Sequence, residues 1–283
     1  MRIAASTYLN SAPLVYSFVQ GAMRHQYSFL GDAAPSRCAA MLAANQCEIA
    51  LIPIIEYQRI PGLRIIPDIA VASKRRVRSV LLVARCPLQD VRRVTLDPSS
   101  RTSQALARIL FANYYKVQPV FSQRQPNEAV ELPEPGDAAL IIGDPAMRLA
   151  ASAKEQGKQP EVRIYDLAEE WQMMTGLPFV FAVWAMRESL CEKEGMIARD
   201  FLAAKQEGLG MLKEIAAQYA VELKLPQDDL LSYLQSNVNY DLDQENIAGI
   251  NRYFELAEQL ELIPAAQPLK FIRRSVISGA VAT

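Results

Sequence analysis

Ile3-Ala4-Ala5-Ser6-Thr7-Tyr8-Leu9-Asn10-Ser11-Ala12-Pro13 is the stretch whose reading decides the fold. Its first four residues are small or apolar and read as a short buried strand. Ala12 to Gln20 reads as a helix, and Pro13 is tolerated there because first-turn N–H groups have no helical partner. Tyr8-Leu9-Asn10-Ser11 is then a strand-to-helix loop. The alternation continues with a strand from Tyr27 to Leu30, a helix from Ser36 to Asn45 capped by Ser36, and a strand from Glu48 to Pro53. The order β-α-β-α-β calls for a parallel sheet, since parallel neighbours need a crossover of helix length.

Further along, Leu63–Ala72 and Val77–Ala84 are expected as strands joined by the basic turn Lys74-Arg75-Arg76. After Cys86-Pro87 the pattern begins again: a strand over Val91–Leu96, an amphipathic helix over Ser103–Tyr115, and strands over Val117–Phe121 and Asp137–Ile142. Pro126, Pro133 and Pro135 mark the loop between the last two. Gly143-Asp144-Pro145 leads into a helix from Ala146 to Lys154. Strands follow in Arg163–Glu170 and Phe179–Met186, the second expected to carry the chain back to the first lobe. Ile197–Tyr219, Gln227–Ser236 and Asp243–Leu260 read as helices, and Phe271–Thr283 as a weak tail. The restart sets the expected boundaries: residues 1–88 with 188–283 form one lobe, residues 89–187 the other. The pattern predicts a two-lobed α/β binding-protein fold with a hinged cleft.

Composition agrees with that size. A chain of 283 residues suits two lobes of roughly 100 to 150 residues. Its residues are 51% hydrophobic and 22% charged, enough apolar material for real cores. The formal charge of -1, with no long block of one sign, argues against a nucleic-acid partner. Cys38, Cys47, Cys86 and Cys191 lack CxxC spacing and read as small apolar residues. His25 is the single histidine and falls in the polar stretch Met23-Arg24-His25-Gln26, so a multi-histidine metal site is impossible. The start of the chain runs straight into a strand with no signal-peptide pattern, and no apolar run reaches the ~20 residues of a membrane span. A cytoplasmic protein without membrane attachment, monomeric or homodimeric, is expected.

The candidate site residues lie where strands meet helices. In α/β sheets ligands bind beyond the carboxyl ends of strands, where free helix N–H groups favour anions. Asn10 and Ser11 occupy one such loop, although either would also serve as a plain helix cap. Asp97-Pro98-Ser99-Ser100-Arg101-Thr102-Ser103 is the second, a run of hydroxyls over a helix start that suits a carboxylate or phosphate. It lacks the glycines and lysine of a nucleotide-binding loop, and one or two of its hydroxyls would suffice for capping. Ser79, at the start of Val80-Leu81-Leu82-Val83, would donate into the cleft or simply be satisfied within the sheet. Asp144 would either face the cleft or cap the next helix. No Ser-His-Asp or Cys-His set can be assembled around His25.

Taken in order, Tyr8-Leu9-Asn10-Ser11-Ala12-Pro13, Glu48-Ile49-Ala50-Leu51-Ile52-Pro53, Val77-Arg78-Ser79-Val80, Ser100-Arg101-Thr102-Ser103, Ile142-Gly143-Asp144 and Thr175-Gly176-Leu177-Pro178-Phe179-Val180-Phe181-Ala182 resemble the chorismate dehydratase family of the futalosine route to menaquinone. The sequence departs from the family pattern at Arg75-Arg76, where Gly-Pro is more typical, and at Glu48, where aspartate is. The resemblance implies a periplasmic-binding-protein-like fold (type II) used as a hydro-lyase on chorismate, a dicarboxylate, without a cofactor. With that reaction in view, Asn10 and Ser79 are the expected catalytic groups, and Ser11, Ser100, Thr102, Ser103 and Asp144 are expected to bind substrate. Two other readings stand beside it. The related 1,4-dihydroxy-6-naphthoate synthase would need a histidine in the cleft, and a solute-binding protein for a small carboxylate would carry a leader or lipid anchor.

Overall fold

The computed structural model describes residues 1–125, 133–155 and 162–273 of the chain. Two five-stranded sheets organise it. In the first, β1 (Arg2–Ser6), β2 (Ser28–Asp32) and β3 (Ile49–Pro53) run parallel, joined through the helices α1 (Ala12–Val19) and α2 (Pro35–Ala43). β4 (Leu63–Ser73) completes this sheet at one edge. The chain then crosses over, and β5 (Val80–Ala84), β6 (Arg93–Leu96), β7 (Val120–Gln123), β8 (Asp137–Ile142) and β9 (Arg163–Asp166) build the second sheet in the order β7-β6-β8-β5-β9. α3 (Arg101–Ile109), α4 (Gly143–Glu155) and α5 (Leu167–Thr175) accompany it. β10 (Phe179–Arg187) returns to the first sheet and inserts antiparallel between β3 and β4. α6 (Glu194–Gly210), α7 (Leu212–Leu223), α8 (Gln227–Ser236) and α9 (Gln244–Gln259) follow.

This topology moves both expected lobe boundaries. β5 was expected in the first lobe, but its hydrogen bonds go to β8 and β9, so the first crossing falls between Ser73 and Val80 rather than at residue 88. The return falls before Phe179 rather than after residue 187, because β10 is the penultimate strand of the first sheet. One carboxylate ties the two crossings together. Asp166 accepts from the N–H groups of Val77 (3.2 Å) and Arg78 (2.6 Å) on the outgoing segment. It also caps α5 through Ala168 (3.1 Å) and Glu169 (3.3 Å) on the returning one. Arg78 meets it with a left-handed backbone, φ 64°.

Other departures have local causes. Arg163–Glu170 is a strand only as far as Asp166, because that residue caps the helix that Leu167 begins. Asp166 with Glu169 three residues on is a helix-start signature that the β-prone Arg163-Ile164-Tyr165 masks. The expected single helix over Ile197–Tyr219 breaks at Met211, and the one expected to reach Tyr115 passes from α3 into a π-helical turn over Leu110–Tyr115. Ser36 does not cap α2; its hydroxyl donates to the Pro98 carbonyl of the other lobe at 3.3 Å. The start of the tail is anchored, with Lys270 and Ile272 hydrogen-bonded to Ile65 of β4. Pro126 and most of the tail lie outside the described residues.

Two large apolar clusters, with a small one around Leu81, Val83, Ile141 and Ala146, hold the elements together. One lies in the first lobe apart from Met147 of α4, and in it Phe18, Tyr27, Trp184 and Phe201 pack in mostly edge-to-face contacts. The other runs through both lobes and includes Trp171, Phe179 and Tyr253. α6 lies so close to α1 that a side chain at Gly208 would meet the Pro13 carbonyl at 1.8 Å. The lobes are thus braced by shared aromatic packing as well as by the chain crossings.

Candidate functional site

The ends of β1 and β3 and the starts of α3 and α4 converge on a cleft between the lobes. It encloses about 490 Å³ of empty space, part of it open to solvent. Its walls are mostly apolar, with Leu51, Val71 and Phe181 from the first lobe and Val80 and Ile142 from the second. The polar atoms come from Ser6, Tyr8, Asn10 and Ser11 on one side and from Ser100 and Ser103 on the other. No charged side chain is among the described residues that line it.

Asn10 stands in a single 3-10 turn, Leu9–Ser11, between β1 and α1. Neither that turn nor α1 receives a side-chain cap, so the capping explanation for Asn10 does not hold. Its amide nitrogen makes no hydrogen bond among the described residues and remains available to a ligand. Ser11 is buried, and its hydroxyl turns back toward the carbonyls of Ser6 (2.9 Å) and Tyr8 (3.0 Å). One proton cannot serve more than that, so Ser11 braces the loop although it was expected to bind substrate. Ser6 then supplies the proton for the 2.8 Å contact between the two hydroxyls and keeps a free acceptor.

At the facing end, Ser100 caps α3, accepting from the Ser103 N–H at 3.3 Å. Its hydroxyl donates to the Ser103 hydroxyl at 2.9 Å. That leaves the Ser103 proton uncommitted beside the first N–H groups of the helix, where the helix dipole favours an anion.

Three expected ligands sit one shell behind the wall, their oxygens taken by the other lobe. Ser79 is buried and accepts from the hydroxyl of Tyr233 on α8 at 2.8 Å. Thr102 accepts the Ile55 N–H at 3.3 Å. Asp144 neither lines the cleft nor caps α4; its carboxylate accepts the Leu9 N–H at 3.1 Å. Burial pushes the Asp144 carboxyl up to about 6, only partly countered by the Leu9 bond.

Tyr8, Ser6 and Phe181 are wall residues that reasoning from residue types did not single out, although Tyr8 and Phe181 fall inside the quoted motifs. The Tyr8 phenol is pushed above its ordinary value chiefly by burial, with an opposing hydrogen bond from Ser99. Its ring rests against Gly143, which has φ 66°; a side chain there would come within 2.8 Å of the ring. His25 is exposed in the turn before β2 and contacts Arg24. Among the described residues no group of three His, Cys, Asp or Glu is arranged to hold a metal ion, and no helix is long and apolar enough to cross a membrane.

Comparison with known proteins follows the same lines. A family described as menaquinone biosynthesis matches residues 1–259. A Thermus thermophilus protein named chorismate dehydratase is 31% identical over 258 residues, covering 88% of this chain and 92% of that one. A Campylobacter jejuni protein of the same name is 26% identical over 228 residues, 81% of this chain and 83% of that one. Among solved structures, the periplasmic aliphatic sulphonate binding protein of Escherichia coli superposes with a TM-score of 0.61 at 17% identity, covering 96% of this chain and 93% of that one. That likeness shows the periplasmic-binding-protein-like fold.

Proposed function

Since this chain belongs to the menaquinone-biosynthesis family, we propose that it is a chorismate dehydratase, a carbon–oxygen lyase that takes water from chorismate to leave 3-(1-carboxyvinyloxy)benzoate. One observation carries the reading at this site. An apolar cleft receives the unengaged amide nitrogen of Asn10 from one lobe and an uncommitted hydroxyl over a helix start, Ser103, from the other. A dicarboxylate with an apolar ring between its charges matches that layout.

The residues then divide the work. Ser103 and the first N–H groups of α3 hold one carboxylate, with Ser100 orienting Ser103. Asn10 holds the other carboxylate or the departing hydroxyl, and Ser6 accepts from a substrate hydroxyl. Phe181, Leu51 and Ile142 pack the ring. In the reaction the ring C–O bond breaks, a ring C–H bond gives its electron pair to the new double bond, and the hydroxyl leaves as water. The product ring is aromatic, which supplies driving force. The wall offers no ionised side chain as base among the described residues, so a carboxylate of the substrate itself takes the ring proton and hands it to the departing hydroxyl, which leaves as water. Closure fixes the reactive conformer and keeps water out, worth several kcal/mol. Ser79 acts from behind the wall by supporting Val80. The reaction would serve the futalosine route in the cytoplasm.

His25, exposed and outside the cleft wall, weighs against the sister synthase reading. The test is direct: purified protein is mixed with chorismate, and the aromatic enol ether is followed by liquid chromatography. Product formation supports the reading. Chorismate bound tightly but recovered intact would support the solute-binding alternative instead.

A further inference from the structure

Glu56 is a carboxylate that touches no part of the cleft, yet both lobes meet on it. It sits in the 3-10 turn Ile54–Gln58 directly after β3, and only 2% of its surface is exposed. One oxygen accepts from Nη1 of Arg101 at 2.7 Å, the other from Nη1 of Arg59 at 2.8 Å. Arg59 is itself braced on the Leu262 carbonyl at 3.0 Å, so the first lobe holds Glu56 from behind. Arg101 belongs to the second lobe. It is the first residue of α3, flanked by the cap Ser100 and by Thr102, and Thr102 takes the Ile55 N–H of the same turn.

Two contacts therefore seat the start of α3 on the turn that follows β3. A buried carboxylate is satisfied only while its cationic partners stay in place. Opening the cleft would draw Arg101 away and leave Glu56 with Arg59 alone. The same pairing points the Arg101 charge away from the cleft, so the neighbouring hydroxyls and N–H groups receive the ligand without a competing guanidinium.

We propose that Glu56 is a positioning residue for the dehydration: acting through Arg101, it sets the Ser100–Ser103 end of α3 against the substrate and latches the lobes shut. The inference rests on the chorismate reading for its kinetic arm and on geometry alone for its structural arm. Glu56→Gln, Arg101→Gln and the double variant would be compared with the parent in chorismate turnover, thermal midpoint and small-angle X-ray scattering without ligand. Each single substitution is expected to lower kcat/KM by about tenfold to a hundredfold, the scale of a small misplacement in a site. The double variant should lie within about threefold of the weaker single, because the two side chains form one device. The radius of gyration should rise in all three as the lobes part.

Single variants that keep turnover within twofold of the parent overturn the proposal, and so do losses that multiply in the double variant. A structural defect alone would lower the thermal midpoint without changing the radius of the folded protein. Should Glu56→Gln fail to fold, Arg101→Gln decides by itself, since that side chain is 44% exposed. If the parent does not consume chorismate, the functional reading fails by that result. Scattering then decides the latch alone: a larger radius for Arg101→Gln supports it, and an unchanged radius overturns it.

Discussion

The carboxylate of Asp144, at the start of α4, accepts a hydrogen bond from the backbone N–H of Leu9 at 3.1 Å. Each residue belongs to a different lobe, and Leu9 directly precedes Asn10. The loop that presents the unengaged amide is thus held by an acid from across the cleft.

That acid is held up to about 6, first by burial and then by Glu222 on α7, against the Leu9 N–H and Arg148 on α4. An unfolded aspartate titrates near 3.9. Between those two pH values the native state binds more protons than the unfolded chain, so this group's contribution is full below about 4 and is lost as pH rises through 6. The cost at neutral pH is on the order of 2–3 kcal/mol. Asp144→Asn keeps an acceptor for Leu9 and removes the charge. Thermal melts from pH 4 to 7 should show the variant gaining on the parent as pH rises, with the higher midpoint at pH 7. A lower midpoint for the variant at pH 7 would mean that the charge itself carries the bridge.

Asn10→Asp separates ligand recognition from local structure. The change is nearly isosteric but exchanges a donor for a negative charge facing an anionic substrate. Losing one charge-assisted hydrogen bond costs about 1.5–3 kcal/mol, so turnover should fall by about tenfold to a hundredfold before repulsion is added. Stability should hardly move, because Asn10 caps neither its own turn nor α1. Turnover and thermal midpoint measured together check this; unchanged turnover would remove Asn10 from the site.

Gly143→Ala tests the seat of Tyr8. The left-handed backbone costs a side chain about 1–2 kcal/mol, and the new methyl group would overlap the Tyr8 ring. The ring must shift, and with it one wall of the cleft. The protein should fold with a modestly lower midpoint and lose at least about tenfold in kcat/KM. Parent-like kinetics would show that the ring's placement is unimportant to the reaction.

Local patterns were legible in the sequence where local forces decide. Asp137–Ile142 and Gln227–Ser236 form within the expected bounds because a buried apolar run and an amphipathic period need no distant partner to be recognised. The sheet to which Val80–Ala84 belongs was not legible, because its partners Asp137–Ile142 and Arg163–Asp166 are remote and any apolar strand satisfies the same pattern. The site divides the same way. Asn10, Ser100 and Ser103 reach the cleft because a strand-to-helix loop aims them there. Ser79, Thr102 and Asp144 were placed in the right neighbourhood, but Tyr233, Ile55 and Leu9 claim their oxygens. Pairings of that kind leave no mark in residue spacing.

The strand order β2-β1-β3-β10-β4 also bears on how the chain is born. All strands of the second sheet lie between Val80 and Asp166, so on the ribosome that lobe has its full set of partners once Asp166 is out. β3 and β4 emerge much earlier, yet the strand that joins them, Phe179–Arg187, comes last. Until it arrives the nascent chain carries two unpaired, wholly or largely buried-type edges, the kind that recruits foreign strands. β10 is then the keystone of vectorial synthesis, and pulse-labelled hydrogen exchange on stalled chains should find β5 to β9 protected while β4 and the β10-facing amides of β3 still exchange freely.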